Sequence, residues 1–384
     1  SLPVGVITDR YDRRMLMVSA NAARAVITLL VALVVLTRQD ALPLPEAVSD
    51  ASAILATDTT LYLLVVLATV LLGVGEVLYD NSAQTFMPSI VHADNLERAN
   101  GRLWSAEQVA NTFAGPPLAA LLIAVAFALP FFVDAATFAI SAVLIASIRR
   151  PRTPTDDRAA RREQRRPWKV ELAEGFGWLW RHELLRTLAV VLGLLNLLGA
   201  MTFATFVLFG QEVLGTSATE FALLGTGGAV GGVVGGWSAS WLAKRLGEGL
   251  SLALTLIGGG VTAIVIGLSS WWPVAWVMFT ISSIVVVLWN VITVSFRQTV
   301  IPDELLGRVN SVYRFFGWGM IPIGAAIGGV IVVATDAVAS RELALRMPWI
   351  VHGFASVTLL AYAGPRLTSE AFRTAREQAA VEPG

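Results

Sequence analysis

Ten stretches of this chain are apolar for long enough to cross a bilayer: residues 15–36, 60–82, 103–126, 130–148, 187–209, 219–243, 249–268, 273–295, 311–333 and 348–364. A helix crosses the hydrocarbon core with ~20 residues. Water is absent there, so a spanning segment must satisfy its own backbone polar groups as a helix or close into a barrel. Barrel strands are shorter and alternate apolar with polar residues, a pattern these blocks lack. The chain is 55% hydrophobic and only 15% charged, where soluble domains carry about 25% charge. The expected fold class is therefore an all-α, polytopic membrane protein. The chain has no cysteine, which removes disulfides and thiolate metal sites. His92, His182 and His352 are scattered and accompany no nucleophile or metal spacing, so neither an enzyme, a metal site nor a cofactor is expected.

Charge is sorted between the blocks. Taken alternately, one set of loops holds 24 of the 28 basic residues. Arg24 lies within a block, and Arg38, Arg341 and Arg346 lie on the other side. By the positive-inside rule the arginine-rich side is cytoplasmic, which points to a multi-pass protein of the bacterial inner membrane with linker and carboxy-terminus inside. The loop at 37–59 carries Asp40, Glu46, Asp50 and Asp58 on the opposite side. Residues 149–186 form the longest basic segment. Its first part, to Arg166, is a charge run with prolines that reads as disordered or surface-bound. Its second part predicts an amphipathic helix with Trp168, Leu172, Phe176 and Leu179 on one face and Lys169, Glu171, Glu174 and Arg181 elsewhere, suited to the membrane interface. Juxtamembrane arginines of this kind attract anionic lipid, so the expected partner is the bilayer and not nucleic acid.

The chain repeats itself. Gln84-Thr85-Phe86-Met87-Pro88 follows the second block and Gln298-Thr299-Val300-Ile301-Pro302 follows the eighth. Downstream, Leu96-Glu97-Arg98-Ala99-Asn100 matches Leu306-Gly307-Arg308-Val309-Asn310. Two helices and a basic segment come after each copy. Four helices precede the second copy back to the linker, but two precede the first, so symmetry calls for two more helices ahead of Ser1. The expectation is two pseudo-symmetric six-helix bundles in parallel repeat, with the amino-terminal one cut to four helices. The divisions are residues 1–148, the linker 149–186, the second bundle 187–364 and a cytoplasmic tail 365–384.

At the amino end stands Gly5-Val6-Ile7-Thr8-Asp9-Arg10-Tyr11-Asp12-Arg13-Arg14. An aspartate at a helix end can accept hydrogen bonds from the amino-terminus of a neighbouring helix and pair with arginines. Arg10, Arg13 and Arg14 can also anchor the loop to anionic headgroups. This segment resembles the signature loop of the major facilitator superfamily, with Asp12 in place of the second glycine. The resemblance runs through Pro88 to Asn100 and through Phe132-Val133-Asp134-Ala135-Ala136-Thr137-Phe138, and is nearest the enterobactin-exporter and macrolide-efflux branch. It implies a secondary transporter that works by alternating access, exports a small molecule such as a drug or siderophore, and is driven by protons. It also implies that Gly5, Asp9, Arg10, Arg13 and Arg14 latch the cytoplasmic gate of the outward-open state. A purely topogenic cluster is the other reading of those charges. An importer or facilitator of the same fold, or a transport-inactive scaffold, stays open as well. The corresponding loop of the second half, Ala243-Lys244-Arg245-Leu246-Gly247, has lysine where the aspartate would be, so one latch is expected. The chain is expected to act as a monomer.

Inside the blocks, ionisable residues are costly and mark pathways or buried pairs. Arg24 and Glu76 lie at similar depths and could pair, as a proton-sensitive switch or as structure. Glu107 and Asp134, with Asn111, Asn196 and Asn290, are further coupling and cavity candidates. Gly115-Pro116-Pro117 and Pro322 fall at matching places in the two halves and should bend their helices. Gly227, Gly231 and Gly235 form one stripe and Gly228, Gly232 and Gly236 another. Spacing of four lets a neighbouring backbone approach; no strand precedes the run, so it is not a nucleotide-binding loop.

Overall fold

The computed structural model describes residues 2–38, 59–148 and 167–381. The acidic loop at 37–59 is thus largely outside the described residues, as is the charge run up to Arg166. The described chain is built of helices: α1 (Leu2–Arg10), α2 (Arg13–Arg38), α3 (Thr59–Phe86), α4 (Leu96–Gln108), α5 (Gly115–Val125), α6 (Leu129–Ser147), α7 (Trp168–Arg181), α8 (Glu183–Leu208), α9 (Ala218–Leu246), α10 (Glu248–Leu268), α11 (Trp272–Val300), α12 (Leu306–Asp336), α13 (Arg341–Ala363) and α14 (Ser369–Val381). Eight of these segments are long and apolar enough to cross a membrane. The remaining two sequence blocks are helical too. Block 103–126 is split by a π turn at Val109–Ala114, and α9 has 29 residues, with glycines that lower its mean hydropathy. The protein is a polytopic all-α membrane protein.

Local chemistry sets the helix ends. Ser217 and Glu220 form a reciprocal capping box at the start of α9, which satisfies two first-turn donors. Gly247, at φ +77°, turns the chain between α9 and α10, a conformation that costs glycine little. Pro302 follows Ile301, whose extended backbone closes α11, because the residue before proline is pushed out of the helical region. In the π turn the N–H of Gly115 donates to the carbonyl of Ala110, just ahead of Pro116 and Pro117, which have no N–H to offer. The chain stays helical there but widens into a π turn, where Gly115 and Pro116 suggested a bend. Pro322 by contrast sits inside an α12 that runs on to Asp336.

Helix α2 packs against α3 and α6; α8 against α12; α10 against α11 and α13; and α9 against α11. The first glycine stripe explains the last pair, because a Cβ at Gly227, Gly231 or Gly235 would meet the backbone of α11 at Trp276, Thr280 and Ile284. The largest core cluster includes Leu179, Leu185, Leu188, Phe296, Tyr313 and Phe372 and lies towards the arginine-rich end. A second cluster around Phe209 and Trp349 lies among α8, α9, α10, α11, α12 and α13. Many Leu and Val side chains, such as Leu63, Val70 and Val143, are exposed on the helices, as expected where the surrounding solvent is lipid.

Helix α7 departs from the expected pattern. Its buried residues are Glu171, Gly175 and Leu179, while Trp168 and Phe176 are exposed. Leu179 therefore belongs to the protein core, and Glu171 is not on an outer polar face. The physical reason is a compensating charge. Arg10 meets Glu171 at 3.0 Å, which permits a buried carboxylate.

Candidate gate at the arginine-rich end

The amino-terminal and carboxy-terminal helices meet along two seams, α1 against α12 and α4 against α9 and α11. At the first seam α12 begins without a cap of its own, since Leu305 offers no side-chain acceptor. Orphan N–H groups at a helix start attract an anion. Asp9 supplies one from α1: the Gly307 N–H donates to Oδ1 at 2.8 Å and the Arg308 N–H to Oδ2 at 3.0 Å. The Arg308 guanidinium lies 3.3 Å from Oδ2 and that of Arg13 lies 3.9 Å from Oδ1. The Asp9 side chain is 2% exposed. Burial pushes its carboxyl up to about 7, against the pull of Arg13, the Arg308 and Gly307 N–H groups and the Arg308 guanidinium. Gly5 makes this approach possible. A Cβ there would meet the Gly307 carbonyl and Ser311, and one at Gly307 would meet Gly5 and Asp9.

The arginines of the signature loop all bond to protein. Arg13 is buried, donating to the Thr85 carbonyl at 2.9 Å, to Asp303 Oδ1 at 3.2 Å and to the Asp303 carbonyl at 2.6 Å. Arg14 donates to the Ile148 carbonyl at 2.7 Å, and Arg10 to Glu171 Oε2 at 3.0 Å. A guanidinium offers five donors in a fixed fork, and helix ends supply bare carbonyls for it.

Deeper in, the sequence repeat becomes a paired set of contacts. The Asn100 amide donates to Ser295 Oγ at 2.9 Å and to Gln298 Oε1 at 2.8 Å. Its repeat mate Asn310 donates to Asn81 Oδ1 at 3.0 Å and to Gln84 Oε1 at 2.9 Å. Each asparagine thus crosses from its own group of helices to the glutamine of the other. Gln298 also donates to the Gln84 carbonyl at 2.7 Å, and Arg314 pairs with Asp80 at 3.0 Å. Arg297, buried, donates to Asn310 Oδ1 at 2.7 Å and lies 3.8 Å from the centre of the Tyr313 ring. At the second seam a Cβ at Gly101 would meet the Gly236 carbonyl, and one at Gly232 would meet Gln108. The second glycine stripe therefore faces α4, not α11.

The other sequence candidates do not gather into this site. Among the described residues Arg24 and Glu76 form no ion pair. The Arg24 guanidinium lies 4.1 Å from the centre of the Phe138 ring, its stem lies against Gly75, and its buried Nε has no partner. Glu76 is exposed. The reason is angular, because consecutive helix residues stand 100° apart and the face that receives Arg24 at Gly75 is not that of Glu76. Glu107, Asn111 and Asp134 are exposed. Asn196 donates to the Gly317 carbonyl at 3.0 Å and so ties α8 to α12. Asn290 donates to Val286 of its own helix at 2.9 Å. Sequence reasoning set Asp80 at the cytoplasmic interface and saw Arg308 only as part of the repeat, and it gave no role to Asn81, Asp303 or Arg314. The matched clusters at Gln84, Asn100, Gln298 and Asn310 were the available signal, visible as a repeat and not yet as a contact.

The family model described as the Major Facilitator Superfamily matches residues 1–325. No curated protein matches the chain. Among solved structures, a bacterial homologue of the iron transporter ferroportin in an outward-facing state is similar with a TM-score of 0.65 and 18% identity, over 95% of this chain and 87% of that one. The E. coli fucose:proton symporter is similar with a TM-score of 0.60 and 14% identity, over 94% of this chain and 86% of that one. A structure of the fucose symporter in the outward conformation gives a TM-score of 0.60 at 15% identity, over 94% and 85% of the two chains.

Proposed function

The chain belongs to the major facilitator superfamily of membrane transporters, and from that premise we propose that it exports a small molecule such as a drug or siderophore, in exchange for protons, across a bacterial cytoplasmic membrane. The observation that carries this reading is the closed seam at the arginine-rich end, with Asp9 capping α12. The charge sorting makes that end cytoplasmic, so the state is outward-facing and the loop is its latch. Two bundles, 1–148 and 187–364, rock about a central cavity, joined by the linker 149–186 and followed by the tail 365–384. In this cycle Gly5, Asp9, Arg10, Arg13 and Arg14 hold the gate. Glu107, Asn111, Asp134, Asn196 and Asn290 supply polar groups to the pathway, and the π turn before Gly115 and Pro116 lets α4 and α5 move separately. A charge-assisted hydrogen bond contributes about 1.5–3 kcal/mol, and every 1.4 kcal/mol is about tenfold in an equilibrium. The latch is therefore strong enough to set which side is open and weak enough to be released by substrate.

Efflux from cells or vesicles, run on a panel of siderophores, antibiotics and ferrous iron with a pH indicator in the lumen, tests substrate and coupling together. Substrate-dependent proton movement opposite to the substrate is the expected result, and movement in the same direction makes the protein a symporter. Orientation has its own test. Cysteine at Ser217, at the start of α9, should react with an impermeant thiol reagent on intact cells, and cysteine at Ser369 only after permeabilisation. The reverse pattern would overturn the assignment of sides.

A further inference from the structure

Helix α7 lies across the α1–α12 seam and holds one partner from each, through buried Glu171 and exposed Glu174. Glu171 and Glu174 are three residues apart and share a helix face. Glu171, with its side chain 7% exposed, meets Arg10 of α1 at 3.0 Å. Glu174 meets Arg308 of α12 at 2.9 Å, and Arg308 in turn pairs with Asp9. Next in the chain, Gly175 lies so close to Arg308 that a Cβ would meet its Cβ and backbone. Four residues on, Leu179 is fully buried in the core with Leu184, Leu185 and Leu188 of α8. The helix is thus anchored in the carboxy-terminal helices at Gly175 and Leu179, and reaches the amino-terminal ones through Glu171.

We propose that α7 is an intramolecular clamp: it travels with the carboxy-terminal bundle and holds the latch helix α1 through the Glu171–Arg10 pair, so that the linker helps to set the balance between closed and open gate. The proposal rests on the gate reading above. Opening the gate parts α1 from α12, and Arg10 must then leave Glu171. A buried carboxylate that loses its guanidinium is costly unless water reaches it, so the pair resists the first step of opening and re-forms at closure. Glu174 acts on the other side by orienting the Arg308 guanidinium towards Asp9. Both glutamates are positioning residues for the latch.

The native chain has no cysteine, so one reporter is unambiguous. Ser105 is buried at the α4–α9 seam, and Ser105→Cys should react from the cytoplasmic side only when the gate opens. Its labelling rate by an impermeant thiol reagent is measured in inside-out vesicles for Glu171→Arg, for Arg10→Glu and for the two together. Each single change is expected to raise the rate several-fold, and the double exchange, which restores an opposite-charge pair, to bring it back towards the parent. Glu174→Gln, on the more exposed residue, should give a smaller rise. Single variants labelled at the parent rate, or a double exchange as fast as its singles, would overturn the clamp. Asp9→Asn is run beside them. If it speeds labelling while the α7 variants do not, the clamp alone fails; if it too changes nothing, the gate reading fails.

Discussion

At the α1–α12 seam Gly5 lies against Gly307, and at the α4–α9 seam Gly101 lies against Gly236, in each case with no room for a Cβ. An asparagine crosses at each place too, Asn310 to Asn81 and Gln84, Asn100 to Ser295 and Gln298. The backbone design is therefore duplicated. The charge is not. Asp9, Arg13, Arg308 and Glu171 crowd the first seam. The second has Lys244 where the aspartate would stand, and its glycine contacts are with Ser105 and Gln108. Close backbone packing makes a surface that can slide or part without breaking strong bonds, whereas a buried carboxylate shared by a helix start and two guanidiniums must be dismantled. The pairing suggests a division of labour in which one seam locks and the other guides.

Asp9→Asn should have the largest effect. Asparagine keeps one acceptor but turns an amide NH₂ towards a backbone N–H, and it removes the charge that Arg13 and Arg308 share. A loss of about 1.5–3 kcal/mol should lower efflux about tenfold or more and raise cytoplasmic labelling of the Ser105→Cys reporter, while insertion is unchanged. Equal efflux and labelling would mean that the two seams do not differ in kind.

Gly101→Ala probes the other seam. Its Cβ would meet the Gly236 carbonyl, and a backbone carbonyl in a packed helix cannot swing aside. Overpacking of about 1–3 kcal/mol should hold α4 off α9 and favour the cytoplasm-open state several-fold, read as faster labelling at a reporter on the first seam such as Ser311→Cys. An unchanged rate would show that this seam is not closed in the resting transporter.

The smallest effect is a difference between two like changes. Asn100→Ala removes neutral hydrogen bonds of about 0.5–1.5 kcal/mol each. Asn310→Ala removes the same kind and also strips an acceptor from the buried Arg297, which costs about 1–3 kcal/mol. Asn310→Ala should therefore open the gate more than Asn100→Ala, in the same labelling assay. Equal effects would place Arg297 outside the gate.

The glycine at the head of the signature loop, its aspartate, and the doubled Gln and Asn clusters were all legible as a pattern before any contact was known. Their partners were not. Arg13 bonds Thr85 and Asp303, one 72 residues away and the other 290, and no local spacing encodes that choice. Likewise the angle around α3 sent Arg24 to Phe138 instead of Glu76.

What the sequence determined by itself was the solvent and its consequences. Apolar runs of bilayer length must become helices, because a backbone without water has to bond to itself. Sorted arginines lead to the expectation of a cytoplasmic side, and a repeated pair of motifs to that of two related sets of helices. What only the tertiary structure decided was which buried charges find each other: Asp9 with the start of α12, Glu171 with Arg10, Asp80 with Arg314. Secondary structure depends on neighbours a few residues apart, so it can be read along the chain. Ion pairs across a seam depend on how closely two distant backbones pack, and the glycines that allow that approach do not name the side chains it will bring together.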